Sequence, residues 1–156
     1  MKFLAPATAI IGLLVLPQPV KADDFPKSGQ ATFDQYATWK ILASADAGVG
    51  REFVAEGNGI TRNVQGQAPF DRLVDRCFGH WTVIDKRWDG HGSCIKTDDE
   101  GDRILITWDN NGWTIVGGTG KYKGISGGGG QKPELITDSP DGWAVIVHHT
   151  VQWNIK

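Results

Sequence analysis

Gly117-Gly-Thr-Gly-Lys-Tyr-Lys-Gly-Ile-Ser-Gly-Gly-Gly-Gly130 is the stretch on which the fold of this chain turns. A run so rich in glycine invites comparison with a phosphate-binding loop. Such a loop follows a strand and opens a helix whose N-terminus meets the anion. Here Gly120-Lys121 is followed by Tyr122 in place of Ser or Thr, and no glycine stands five residues before Gly120. Four consecutive glycines and Pro133 come next, a sequence that opens no stable helix. The stretch therefore predicts no nucleotide site, and no cofactor is expected from it.

Working outward, the dominant hydrophobic period is two. From Ala31 onward Phe33, Ala37, Trp39 and Ile41 alternate with Thr32, Asp34, Thr38 and Lys40, although residues 33–45 also fit a helix. Residues 51–63 form a second extended run, with Gly57 and Gly59 as candidate bends. Residues 71–88 hold one long strand, or two joined by a bend near Gly79. Asp89-Gly90 predicts a turn into residues 91–97, and Asp98-Asp99-Glu100-Gly101 predicts another before residues 102–108. Asn110-Asn111-Gly112 turns into residues 113–116, and residues 133–137 and 142–155 supply two more strands. Short, evenly spaced strands call for an all-β antiparallel sheet that closes on itself and so removes its edges. A closed antiparallel β-barrel of about eight strands is just wide enough for side chains or one small ligand.

The chain has 156 residues, 40% of them hydrophobic, with 21 glycines, seven tryptophans and two cysteines, which bounds it to one domain. A formal net charge of −2 argues against a nucleic-acid partner, which demands a basic face. Lys2 precedes an uncharged run over residues 3–16, Pro17-Gln18-Pro19 breaks it, and Val20-Lys21-Ala22 suits a cleavage site. Residues 1–22 are thus expected to be a signal peptide and residues 23–156 a single exported domain, periplasmic or secreted. The apolar run falls short of a membrane span of about 20 residues, so no stable membrane insertion is expected, a retained anchor being the rival. In an oxidising compartment Cys77 and Cys94 are expected to pair, closing a loop whose constraint contributes about 3 kcal/mol. The rival is a nucleophilic thiol with His80 or His91 as its base. No CxxC or HxxxH spacing supports a metal site.

Val116-Gly-Gly-Thr-Gly-Lys-Tyr-Lys-Gly-Ile-Ser-Gly127 resembles the signature loop of the allene oxide cyclase and dirigent barrel superfamily. More closely, it resembles the small exported bacterial members, in which an Arg-Cys pair, a Gly-x-Cys and an acidic turn precede that loop. This chain has Arg76-Cys77, Gly92-Ser93-Cys94 and Asp98-Asp99-Glu100-Gly101-Asp102 in that order. The resemblance covers residues 71–130 well and the first part of the mature chain poorly. It implies an eight-stranded calycin-like barrel, a homo-oligomer in some members, with a hydrophobic cavity in which plant relatives steer reactive intermediates. The catalytic residues of those plant enzymes do not carry over. Gly118, Gly120, Gly124 and Gly127 mark the fold and identify no reaction.

Residues that could act inside such a barrel follow from strand parity. On residues 143–155 the odd positions are apolar except His149, which is either a general base with a tuned pKa or a core histidine with one polar partner. The neighbouring His148 must face the other way, so the two cannot chelate one metal. Arg76, Phe78, His80, Thr82 and Ile84 share one face, which suits either a pocket that orients a polar ligand end or a solvated exterior. Glu56 is the nearest candidate acid, with surface solubility as the rival role. The acidic turn at residues 98–102 lacks the spaced ligands of a calcium loop and predicts a plain hairpin turn. Trp39, Trp108, Trp113 and Tyr122 are candidate ligand-binding rings, and core filling is their alternative. The expected function is binding of a small hydrophobic or aromatic molecule, with a cofactor-independent cyclisation or isomerisation as the catalytic outcome. The competing readings are a carbohydrate-binding module built on Trp108 and Trp113, and a non-catalytic envelope or extracellular scaffold.

Overall fold

The computed structural model describes residues 25–63 and 70–156, and the expected signal peptide lies outside them. Nine strands lie among the described residues, most of them alternating inward apolar and outward polar side chains. They are β1 (Ser28–Asp46), β2 (Arg51–Asn63), β3 (Val74–Ile84), β4 (Arg87–Thr97), β5 (Arg103–Asp109), β6 (Gly112–Gly118), β7 (Ile125–Gly129), β8 (Gln131–Ser139) and β9 (Gly142–Ile155). All pairs are antiparallel, in the order β1-β2-β3-β4-β5-β6-β7-β9-β8. β1 also pairs with β9, from Ser28 opposite Asn154 to Lys40 opposite Gly142, so the sheet returns on itself like a ring. β7 and β8 share one edge of β9, β7 holding Gln152 to Ile155 and β8 holding Gly142 to His149. Gly130 sits at their seam, its carbonyl accepting from the Thr150 N–H at 3.1 Å.

Residues 33–45, which admit a helix by sequence, lie within a single long strand, because closure needs β1 to serve two neighbours at once. Of the two readings of residues 71–88, the bend near Gly79 is absent, and so is the expected turn at Asp89-Gly90. β3 runs on to Ile84, and the chain reverses at Asp85 and Lys86, which both take positive φ, 50° and 64°. That mirror-image turn matches the twist of the flanking strands. The glycines passed over instead accommodate indoles. A Cβ on Gly57 would stand 2.7 Å from Trp39 Cδ2, and one on Gly79 2.7 Å from Trp108 Cζ2. Gly90 lies against Trp81 in the same way. Trp39 and Trp81 each rest on backbone where the neighbouring strand has no side chain, and Trp108 reaches over Gly92 of β4 to Gly79 of β3.

The glycine-rich stretch splits into the end of β6, a single 3-10 turn at Gly120–Tyr122, and β7. It is tied to the acidic turn that precedes β5. Asp102 Oδ2 accepts the Lys121 backbone N–H at 2.9 Å, and the Lys121 ammonium meets Asp98 at 2.8 Å and Glu100 at 3.1 Å. Three gathered carboxylates thus already face a cation supplied by this chain. Burial raises the Asp98 pKa, but hydrogen bonds from Lys121 and the Asp102 N–H outweigh it and leave the carboxyl below its usual range. Tyr122 is buried beside this clasp and meets Phe25 edge-on at 5.0 Å.

The interior is packed at one end and hollow at the other. Phe33, Phe70, Trp113, Trp153, Ile104 and Ile155 fill the packed end. The Cys77–Cys94 disulfide joins directly opposed residues of β3 and β4 on the inner face.

Candidate functional site

The hollow end is a cavity of about 530 Å³, within the ordinary range for small-molecule sites. Its wall is aromatic, with Trp39 from β1, Phe53 from β2, Trp81 from β3, Trp88 from β4, Trp108 from β5 and Trp143 from β9. The rings brace one another. Trp39 and Trp143 stack at 5.6 Å, Trp81 meets both edge-on at 4.9 and 5.0 Å, and Phe53 stacks on Trp81 at 5.5 Å. Each such pair adds about 0.5–1.5 kcal/mol beyond burial, so the wall is stiff before any ligand arrives. Arg51, Asn110, Gln131, Asp138 and Ser139 supply polar groups around the more exposed part of the lining.

The buried lining residues Gln35, Cys94, Ile106 and His149 form the floor against the packed end. His149 lies stacked on Phe33 at 4.7 Å and meets the Trp113 edge at 5.6 Å. Its Nε2 is 3.0 Å from Gln35 Oε1. Burial, then the charge of Lys96, then His148, hold its pKa well below the usual histidine range. His149 is therefore neutral at neutral pH, which makes it a hydrogen-bond partner and a poor proton store. Behind the floor, Lys96 Nζ donates to Asp75 Oδ2 at 2.9 Å, and both side chains are 0% exposed. Burial raises the Asp75 pKa, while Lys96 and then the Gln35 amide pull it back without cancelling the rise.

The candidate residues separate by strand parity. Trp39, Trp108 and His149 line the cavity. Arg76, His80 and Glu56 do not, because they occupy the outward positions of β3 and β2. Arg76 lies over the exposed Phe78 ring, His80 pairs with Glu52 at 2.5 Å, and Glu56 stands opposite Lys40 on β1. A pocket lined by Arg76 and His80 is thus replaced by their solvated alternative. Trp113 is 4% exposed, donates to the Gly130 carbonyl at 3.2 Å and packs into the filled end, while its edge lines a second hollow of about 540 Å³ together with Trp108. Tyr122 is likewise core, on the side of the acidic turn. Cys77 and Cys94 are disulfide-bonded, which removes the nucleophilic thiol. His148 faces out and bridges Asp34 at 2.8 Å and Glu134 at 3.2 Å.

Sequence reasoning missed Gln35, Phe53, Asp75, Trp81, Lys96 and Trp143. The available signal was the bridge itself. Two bonded cysteines share a buried face, which assigns Asp75, Gly79 and Trp81 to the face of Cys77 and Lys96 to that of Cys94.

The neutral His149 has a pH consequence. Its native pKa is depressed, so below the unfolded value of about 6.5 the unfolded chain binds the extra proton and stability drains away as pH falls. The stability advantage of the wild type over His149→Phe should shrink between pH 7 and pH 5, by up to about 1.4 kcal/mol per unit below 6.5. Urea unfolding at both pH values reads it, and a constant difference would contradict a buried neutral imidazole.

No protein-family model and no curated protein matches the chain. Among solved structures it is similar to the one described as the pterocarpan synthase dirigent protein GePTS1, with a TM-score of 0.52 and 15% identity over 85% of this chain and 89% of that one. At that identity the likeness is one of architecture, and the ring of antiparallel strands described above is a dirigent-like β-barrel fold.

Proposed function

We propose that the protein is an exported eight-stranded barrel, with β7 and β8 acting as one stave, that holds a small hydrophobic or aromatic molecule in its cavity. The observation that carries this reading is the aromatic wall above a buried, neutral polar floor. Flat apolar rings exchange water for ring faces on entering, which is favourable in proportion to area removed from solvent. The polar floor then chooses which end goes in first. A braced cavity that fixes one conformer of a flexible substrate removes part of the entropic barrier to ring closure. Cyclisation or isomerisation without a cofactor is accordingly the reaction class that this shape serves. The disulfide suits export, since oxidising compartments preserve such bonds.

Titration with 2-methoxynaphthalene, followed by tryptophan emission, should saturate, whereas a cello-oligosaccharide should produce no saturable change. Trp39→Ala should weaken the aromatic by about three- to tenfold, the contribution of one well-packed ring. Saturable binding of the sugar, with none of the naphthalene, would sink the proposal in favour of a carbohydrate module.

A further inference from the structure

A row of polar side chains crosses the interior of the ring beneath the cavity, from β4 through β3 and β1 to β9, with a hydrogen bond at each end, Lys96 to Asp75 and Gln35 to His149, and no direct hydrogen bond between Asp75 and Gln35. A lysine ammonium only donates, so Lys96 Nζ gives its hydrogen to Asp75 Oδ2 at 2.9 Å. A carboxylate held this way offers only acceptors. The Gln35 amide acts on that carboxyl and also donates from Nε2 to Cys77 Sγ at 3.8 Å, although Asp75 Oδ1 accepts no hydrogen bond of normal geometry. With its NH₂ turned toward β3, Gln35 presents its carbonyl to His149, where Oε1 lies 3.0 Å from Nε2. A carbonyl can only accept. The proton of the neutral imidazole therefore sits on Nε2, and Nδ1 keeps a lone pair. That Nδ1 is buried and has no hydrogen-bond partner among the described residues, in a side chain that lines the cavity and is 4% exposed. An unsatisfied buried acceptor is costly, which leaves a ligand group to satisfy it.

We propose that His149 Nδ1 accepts a hydrogen bond from a neutral hydroxyl or N–H at the deep end of the ligand, and that Lys96, Asp75 and Gln35 are positioning residues that set this polarity by fixing the His149 tautomer. This rests on the cavity reading above. The ligand class narrows accordingly to apolar or aromatic molecules with an uncharged donor at one end. A carboxylate or ether oxygen would face a lone pair with nothing to give it. The relation is one of hydrogen bonding, and no proton is transferred.

Two probes of nearly equal shape separate donor from acceptor, namely 2-naphthol and 2-methoxynaphthalene. With the oxidised wild-type protein, calorimetric titration should find 2-naphthol tighter by about tenfold or more, the effect of satisfying one buried acceptor. The preference should vanish in His149→Phe, which keeps a ring in place, while the methoxy probe still binds. Nitrogen-15 spectra of the His149 ring should show Nδ1 unprotonated in the free protein and perturbed by 2-naphthol. Gln35→Met should mix the two tautomers and reduce the preference, whereas Gln35→Asn, which retains an amide, should restore part of it. A role of Gln35 in packing alone would leave the tautomer unchanged. Equal binding of both probes, or a proton on Nδ1 in the free wild type, overturns this inference and leaves the cavity reading standing. Binding of neither probe overturns both.

Discussion

Replacing Lys96 with methionine is expected to lower the unfolding free energy by about 3–5 kcal/mol, because the substitution leaves a buried carboxyl without its counter-charge. The two side chains are fully enclosed, with 0% exposure each and 2.9 Å between Nζ and Oδ2. No solvent screens them, so the surface-pair figure of under 1 kcal/mol does not apply. Lys96→Met combined with Asp75→Leu should recover most of the loss, since a buried pair exchanged for apolar groups is often neutral or better. The single variant should also change its response to pH. Without Lys96 the Asp75 pKa, already raised by burial, loses its chief opposing influence. A raised carboxyl pKa means that the native state binds the proton first. The penalty of Lys96→Met should therefore be small in acid, grow as pH passes the wild-type Asp75 pKa, which already lies above 3.8, and level off at the higher folded pKa of the variant. Urea unfolding of wild type, single and double variants at two pH values tests all of this. A single-variant loss under about 1 kcal/mol would show that the pair is not held as charges in the native state.

Reducing the Cys77–Cys94 bond should cost about 3 kcal/mol at neutral pH. The bond spans 17 positions in sequence, and opening a loop of that size releases roughly this much conformational entropy in the unfolded chain. The unfolded ensemble should expand, so the urea dependence should steepen as the midpoint falls. A second effect separates this bond from a mere tether. Cys94 lines the cavity and Cys77 Sγ accepts from Gln35, so Cys77→Ala with Cys94→Ala should also weaken ligand affinity in the still-folded protein. A stability loss well under 1 kcal/mol would argue that the opposed pair on β3 and β4 is already held together by its ladder.

Most of the strand plan was legible in the sequence, and the reasons are local. Residues 51–63 and 142–155 coincide with β2 and β9, since alternating apolar positions bounded by turn residues leave few options. The reversal at Asp85-Lys86 was not legible. Asp85 tolerates positive φ but Lys86 does not advertise it, while Asp89-Gly90 does advertise a turn and lies within a strand because Trp81 needs the space at Gly90. That requirement is tertiary, and no single-strand pattern contains it.

The site divided along the same line. His149 stood out because it interrupts an apolar face, and it lines the cavity. Arg76 and His80 shared a face with Phe78, a mixture that fits a pocket and an exterior equally, and parity placed them outside. Lys96 and Asp75 escaped notice because charged residues in short strands ordinarily face water. Only their direct opposition across β3 and β4, two positions from the bridge, makes them an interior pair.

The glycine seats make the cavity wall a set of interlocking bumps and holes. Trp39 rests on Gly57, Trp81 on Gly90, and Trp108 on Gly92, so each indole and its glycine form one unit of shape divided between adjacent strands. A change at one member alone leaves either a clash or a void. Exchanging both at once, with the large residue moved across to the glycine strand, would shift the hollow sideways by one stave without emptying the ring. Related chains could thus acquire differently shaped chambers through paired substitutions, while the strand plan and the polar floor beneath stayed as they are.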